Sequence, residues 1–210
     1  MLAELERTIA PLCLAGVRRL AVPGELSERL PVGGVQRGSV LTIGGVAGSG
    51  VTTAAFSLAA AATMVGEWAA VVDPGSLGGA AAAECGVALE RCAVVRGVED
   101  ARWSVVVGAL LEGFAVVIAA APLRLTLGDA QRLLARARER RAILVVLEAV
   151  PGMRVGVWPA PTAIRVKVAA RQWQGLTRDG SGLLAASSLS AHVEGKGVPQ
   201  TSRLALARAG

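Results

Sequence analysis

The chain has no tyrosine, a single histidine (His192), three cysteines, and only two lysines (Lys167 and Lys196) among its 22 basic residues. Each scarcity excludes something. Cys13, Cys85 and Cys92 have no paired spacing, so they make neither a disulfide framework nor a zinc site. They read as buried thiols in a reducing cytosol. A Ser-His-Asp or Cys-His catalytic site would have to use His192, which lies in a polar, strand-like tail and reads as a surface histidine. Six aromatic residues, two Phe and four Trp, leave few platforms for stacking bases. Met1–Arg7 carries two glutamates where a signal peptide would carry a basic head and an apolar run. The longest apolar stretch, 104–123, holds Glu112 at its centre and glycines at 108 and 113. It reads as a helix, a turn and a buried strand rather than a membrane span, so a cytoplasmic protein is expected.

What the chain does have is 53% hydrophobic residues, 26 glycines and a net charge of +6 over 210 residues. A chain of that length and composition folds around a real core. The charge is unevenly placed. Residues 151–210 hold Arg154, Arg165, Lys167, Arg171, Arg178, Lys196, Arg203 and Arg208 against only Asp179 and Glu194, so residues 1–150 are neutral.

Leu2, Leu5, Ile9 and Leu12 recur at helical spacing and predict an amphipathic N-terminal helix whose apolar stripe docks on the core or on a partner. A loop-rich stretch, 23–38, follows. From there short apolar runs alternate with helical segments: strands at 39–43, 68–72, 93–95, 114–120 and 142–147, and helices at 52–64, 79–85, 99–112 and 127–141. Strands apolar on both faces, separated by helices, predict an α/β fold with a mainly parallel central sheet flanked by helices. After Pro151 the pattern changes. Ile164, Val166 and Val168 alternate with Arg165 and Lys167, and runs at 183–194 and 202–207 follow, which predicts antiparallel, half-solvated strands. The predicted organisation is therefore an N-terminal helix and linker (1–29) and a core (30–210) that includes an antiparallel extension (151–210).

Between the first strand and the first helix of the core stands Gly45-Val46-Ala47-Gly48-Ser49-Gly50-Val51-Thr52. It has the spacing and the strand–helix context of the phosphate-binding G-x-x-x-x-G-K-[ST] loop. Glycines let backbone N–H groups converge on a phosphate, and the helix N-terminus adds partial positive charge. Gly45, Gly48, Ser49, Gly50, Thr52 and Thr53 are the candidate binding residues, with Thr52 placed to hold Mg²⁺. The lysine that reaches the β- and γ-phosphates is replaced by Val51, and the apolar strand that would end in the Mg²⁺-organising aspartate ends in Ala119 and Ala120. Two losses at expected positions argue against hydrolysis, so no cofactor is expected, although ATP with Mg²⁺ is what an intact loop of this kind would take.

The run from Leu30 to Gly45, with its Gly33-Gly34-Val35-Gln36-Arg37-Gly38 turn, strand and phosphate loop, resembles the opening of the ATPase core of RecA-family recombinases. Val71-Val72-Asp73-Pro74-Gly75 resembles that family's next strand, with Gly75 where its catalytic glutamate belongs. Ala83–Val87 is similar to the following helix end, and Arg165-Val166-Lys167-Val168 to the C-terminal hairpin. Within that superfamily the chain looks closest to the small ImuA-type proteins. The resemblance implies a RecA-like core without recombinase activity. The two loops that grip DNA in recombinases are compressed here to 122–129 and 151–162. It also implies an adaptor role in a DNA damage-tolerance, translesion-synthesis complex, with an ImuB-like homologue of Y-family polymerases and a DnaE-type polymerase as partners. The alternatives are a divergent ATP-binding, DNA-dependent ATPase and a stand-alone DNA-binding module. A DNA or partner surface would comprise Arg165, Lys167, Arg171, Arg178, Lys196 and Trp173. The same charges also fit a merely solvated face.

Overall fold

The computed structural model describes residues 19–23, 30–31, 34–46, 48–73, 75, 77–150, 152–174, 186–195, 198 and 208–209. The predicted N-terminal helix with Leu2, Leu5, Ile9 and Leu12 lies outside them, as do Arg178, Lys196 and Cys13.

The architecture is α/β. Strands β1 (Arg19–Ala21) and β2 (Gly34–Gln36) form a small antiparallel pair. The central sheet holds β3 (Val40–Gly45), β4 (Ala69–Asp73), β5 (Cys92–Arg96), β6 (Val116–Ala120), β7 (Ile143–Leu147), β8 (Ile164–Gln174), β9 (Ala186–Gly195) and β10 (Arg208–Ala209). Their order is β10-β9-β8-β3-β7-β6-β4-β5. The pairings from β8 across to β5 are parallel, while β8·β9 and β9·β10 are antiparallel.

Alternation along each strand divides the core into two layers. Leu41, Ile43, Val71, Val116, Ile118 and Val145 face one way, onto helices α1 (Val51–Met64) and α2 (Gly79–Glu84). Val40, Ala70, Val117, Leu144 and Val146 face the other, onto α3 (Asp100–Leu110) and α4 (Leu127–Arg140). Full burial of a side chain such as Leu58 or Ile118 contributes about 1.5–3 kcal/mol. Helix α1 is buried nearly all round, and its alanines let it lie close against the sheet. It stops at a Schellman turn, where Glu67 N–H donates to Ala62 O (3.0 Å) and Gly66 N–H to Thr63 O (3.1 Å). The start of α4 is fixed by Thr126, whose hydroxyl accepts from Asp129 N–H.

Two sequence expectations change. The stretch 23–38, read as loop, contains β2, which pairs with β1. The C-terminal strands are antiparallel only in part: β8·β9 and β9·β10 pair as expected, but β8 is bonded in parallel to β3. Residues 104–123 divide into a helix, a turn and a strand, as expected, and among the described residues no helix is long and apolar enough to cross a membrane.

Candidate functional site

Parallel strands direct their carboxyl ends to one edge, and ligand sites in such sheets collect there. At that edge the glycine loop leaves β3 and enters α1. Gly50 caps the helix with φ of 102°, a left-handed conformation that favours glycine, and Ala54 N–H closes the first turn on Gly50 O at 3.0 Å. Ser49 N–H donates to Val46 O at 3.1 Å, which tightens the loop. No acidic residue occupies the first turn of α1, so its positive end is not offset locally.

A cleft of about 720 Å³ opens over this loop. Gly45, Gly48, Gly50, Thr52 and Thr53 line it, so five of the six candidate binding residues come together. The sixth, Ser49, lies beneath. Its hydroxyl is buried without a hydrogen-bond partner, and a Cβ built on Gly45 would lie 2.6 Å from it. Val51, at the lysine position, is 4% exposed and forms part of both the apolar core and the cleft lining. The loop thus places hydrocarbon at the position where the G-x-x-x-x-G-K-[ST] pattern has its lysine.

The opposite wall comes from the segments after β6 and β7. Gly156 N–H donates to Ala121 O at 2.8 Å, and a Cβ at Gly156 would sit 2.1 Å from Pro122 O, so only glycine permits this crossing. Glu148 anchors the same segment by accepting from Trp158 N–H at 3.0 Å. Trp158 is buried, which makes it a core residue rather than an exposed anchor. Glu148, Met153 and Arg154, from the segment after β7, line the cleft together with Leu123, and they had no sequence signal as a group because Leu123 lies on the far side of a whole helix and strand. The only available hint was large apolar side chains beside Pro122 and Gly152 in otherwise turn-like segments.

Asp73, at the carboxyl end of β4, is occupied structurally. Its carboxylate accepts from Gly75 N–H (2.8 Å), Leu77 N–H (2.9 Å) and Arg96 Nε (2.8 Å). Burial raises its pKa, but the Arg96 guanidinium and the two backbone donors outweigh burial and hold it below the ordinary carboxylate value. Ala119 is fully buried and Ala120 borders a second cleft, so no carboxylate stands at the end of β6.

The basic residues of β8 do not form one surface. Arg165 and Lys167 alternate with buried Val166 and Val168 on the face away from α1. A bulge between Val168 and Ala170 inserts Ala169 and reverses the alternation. Arg171 therefore turns to the α1 side and lines the cleft instead of joining Lys167. Lys167 is 61% exposed and lies 3.8 Å from Glu194, while Arg165 pairs in register with Glu194. His192 is exposed on β9, 3.3 Å from the same glutamate. Trp173 is placed in β8 opposite Ser187. Cys85 and Cys92 are half-buried and form no disulfide among the described residues, and burial pushes the Cys92 thiol up.

Fold and site together define an α/β protein with a glycine loop at the carboxyl edge of a mostly parallel sheet. The family model described as the MT3502 N-terminal domain matches residues 28–152, more than half of the chain, and the chain belongs to that family. The matched segment ends just beyond β7, so β8, β9 and β10 lie outside it. No curated protein matches the chain.

Proposed function

We propose that the chain is a non-catalytic, RecA-like adaptor of a DNA damage-tolerance polymerase complex, whose partners are an ImuB-like homologue of Y-family polymerases and a DnaE-type polymerase. The observation that carries the non-catalytic part is Val51. The loop keeps its turn, yet the residue that should reach phosphate is folded into the core. Gly75 and the alanines at the end of β6 add to it: no carboxylate follows β6, and the one that ends β4, Asp73, is held by Arg96 and two backbone N–H groups. The RecA-like assignment is supported by the sequence resemblance running through residues 30–207 and by the chain order of phosphate-loop strand, alternating helices and C-terminal hairpin. Affinity capture of the tagged chain from DNA-damaged cells tests it. Recovery of the Y-family polymerase homologue is expected; recovery of cell-division proteins alone would overturn the assignment.

A second reading has a specific observation behind it. Glu148, Arg171, Thr52 and Thr53 line the same cleft. A divergent nucleotide-binding protein would use the glutamate toward Mg²⁺ and the arginine in place of the missing lysine. That reading predicts saturable, Mg²⁺-dependent ATP binding that is weakened by Arg171→Ala.

A further inference from the structure

We propose that the apolar surface at the amino edge of the sheet, formed by Met64, Val65, Trp68 and Leu89, is the docking site for the chain's own N-terminal segment, seated through Leu2, Leu5 and Ile9. The inference is independent of the adaptor reading and accounts for a sequence feature that the adaptor reading leaves unused.

Met64 and Val65 are 68% and 65% exposed, and Trp68 and Leu89 are each 48% exposed. The fold gathers these four side chains around one helix end. Helix α1 closes at Met64, the chain turns through Val65 and Gly66, and Trp68 leads into β4. The segment before β5 is tied to the same turn. Ala88 N–H donates to the Thr63 hydroxyl at 3.1 Å, and the Arg91 guanidinium donates to Gly66 O at 2.7 Å. Leu89 lies between those two ties. The acidic group within the turn, Glu67, is paired with Arg37 at 2.9 Å. Single exposed apolar side chains are ordinary, but several around one helix end mark a surface that something covers.

The course of the chain names the occupant. Strand β1 begins at Arg19, which stands opposite Gln36 in β2. The next residue, Arg37, reaches Glu67, the neighbour of Trp68. The eighteen residues that precede β1 therefore join the described structure beside the apolar surface. They join it on the correct side, because Leu20 and Val22 belong to the apolar layer that holds α1. The residues that follow β8 and β9 leave from strands four and five positions away from β4, roughly 19 Å or more across the sheet.

Reach and pattern also agree. Residues 13–18 can span up to about 20 Å when extended. Leu2, Leu5 and Ile9 fall on one face of a helix and extend over about 10 Å of its length, enough to cover the end of α1 and the Leu89 segment. Glu4 falls on the opposite face of that helix. A second copy of the chain could offer the same stripe only at its solution concentration, whereas a short tether presents it at an effective concentration on the order of millimolar. The occupant is therefore the segment of the same molecule.

The test is photo-crosslinking in the full chain, with p-benzoylphenylalanine in place of Trp68 and, separately, in place of Val65. Peptide mapping should find the crosslink within residues 1–12, in a product of monomer mass. Leu5→Asp combined with Ile9→Asp should lower its yield by about tenfold or more, as expected for the loss of buried apolar side chains. Glu4→Gln should leave the yield unchanged. Both label positions are exposed, and unchanged urea unfolding verifies the core. The absence of a crosslink to residues 1–12 from either position, a crosslink formed only between two molecules, or a yield indifferent to the paired aspartates overturns the proposal. The adaptor reading is judged separately, by recovery of the polymerase homologue from damaged cells, and neither result there alters the crosslink expected here.

Discussion

The two edges of the parallel sheet are finished in opposite ways. At the amino edge charges are paired across the loops. Arg37 lies 2.9 Å from Glu67, and Arg136 and Arg140 lie 3.3 and 2.6 Å from Glu112. At the carboxyl edge the glycine loop, the Leu123 segment and the Met153 turn surround an open groove with hydrocarbon lips and an exposed arginine. Both edges have the same backbone problem, namely turning a buried strand into a helix or loop. Both leave large apolar side chains in water, Met64, Val65 and Trp68 at the amino edge and Val46, Leu123 and Met153 at the carboxyl edge, but only the carboxyl edge carries the glycine loop. The glycine loop and the cleft of about 720 Å³ above it are what set the carboxyl edge apart, so that is where a function is to be sought.

That contrast breaks most sharply at Gly156. Gly156→Ala places a methyl group against the Pro122 carbonyl, a backbone atom that cannot rotate aside. We expect a destabilisation of about 3 kcal/mol, the upper part of the range for overpacking, measured by urea unfolding. The Met153 turn should also shift away from Leu123, with loss of the groove. A stability unchanged within error would mean that the wall of the groove is not held as described.

Asp73 comes next. Asp73→Asn removes a carboxylate that accepts three hydrogen bonds, and about 1–3 kcal/mol should be lost. The effect has a pH signature. The native pKa lies below the ordinary value of 3.8, so the carboxylate contributes stability above that value and the contribution disappears as pH falls through the native pKa. The gap between parent and variant in denaturant unfolding should therefore be constant above pH 5 and close as pH drops below 3.8. A gap that widens on acidification would contradict the assignment.

The smallest effect is expected at the amino edge. Glu112→Gln removes partners from Arg136 and Arg140, but all three side chains are well exposed, so the loss should be under about 1 kcal/mol and should diminish with added salt. A large loss would erase the distinction between the two edges.

Much of this fold is legible in the sequence, for a physical reason. Of the strands from β3 to β7 all but the edge strand β5 are buried on both faces, and Gly66, Gly86 and Gly113 follow the first three helices, so hydrophobic runs and glycines mark the elements directly. Alternation in β8 was less informative. Ile164, Val166 and Val168 against Arg165 and Lys167 reports that one face is wetter than the other; it says nothing about the direction of the neighbouring strand. That is why a strand bonded in parallel to β3 reads as part of an antiparallel unit. The extra residue at Ala169 has no compositional mark, yet it moves Arg171 from the supposed basic face to the groove. The two-residue-period logic that joined Arg171 to Lys167 fails at a single bulge. The glycine loop was legible because its chemistry is contiguous. The groove was not, because its lips arrive from three loops far apart in the chain.

The proposal that the glycine loop does no phosphate chemistry is open to a direct assay of phosphate release from ATP with Mg²⁺, with and without DNA and the captured partner. No turnover above the protein-free rate is expected in any combination. Val51→Lys is expected to confer ATP binding without turnover, because no carboxylate stands at the end of β6. Mg²⁺-dependent phosphate release by the parent chain, stimulated by DNA or partner and abolished by Glu148→Gln, would contradict it.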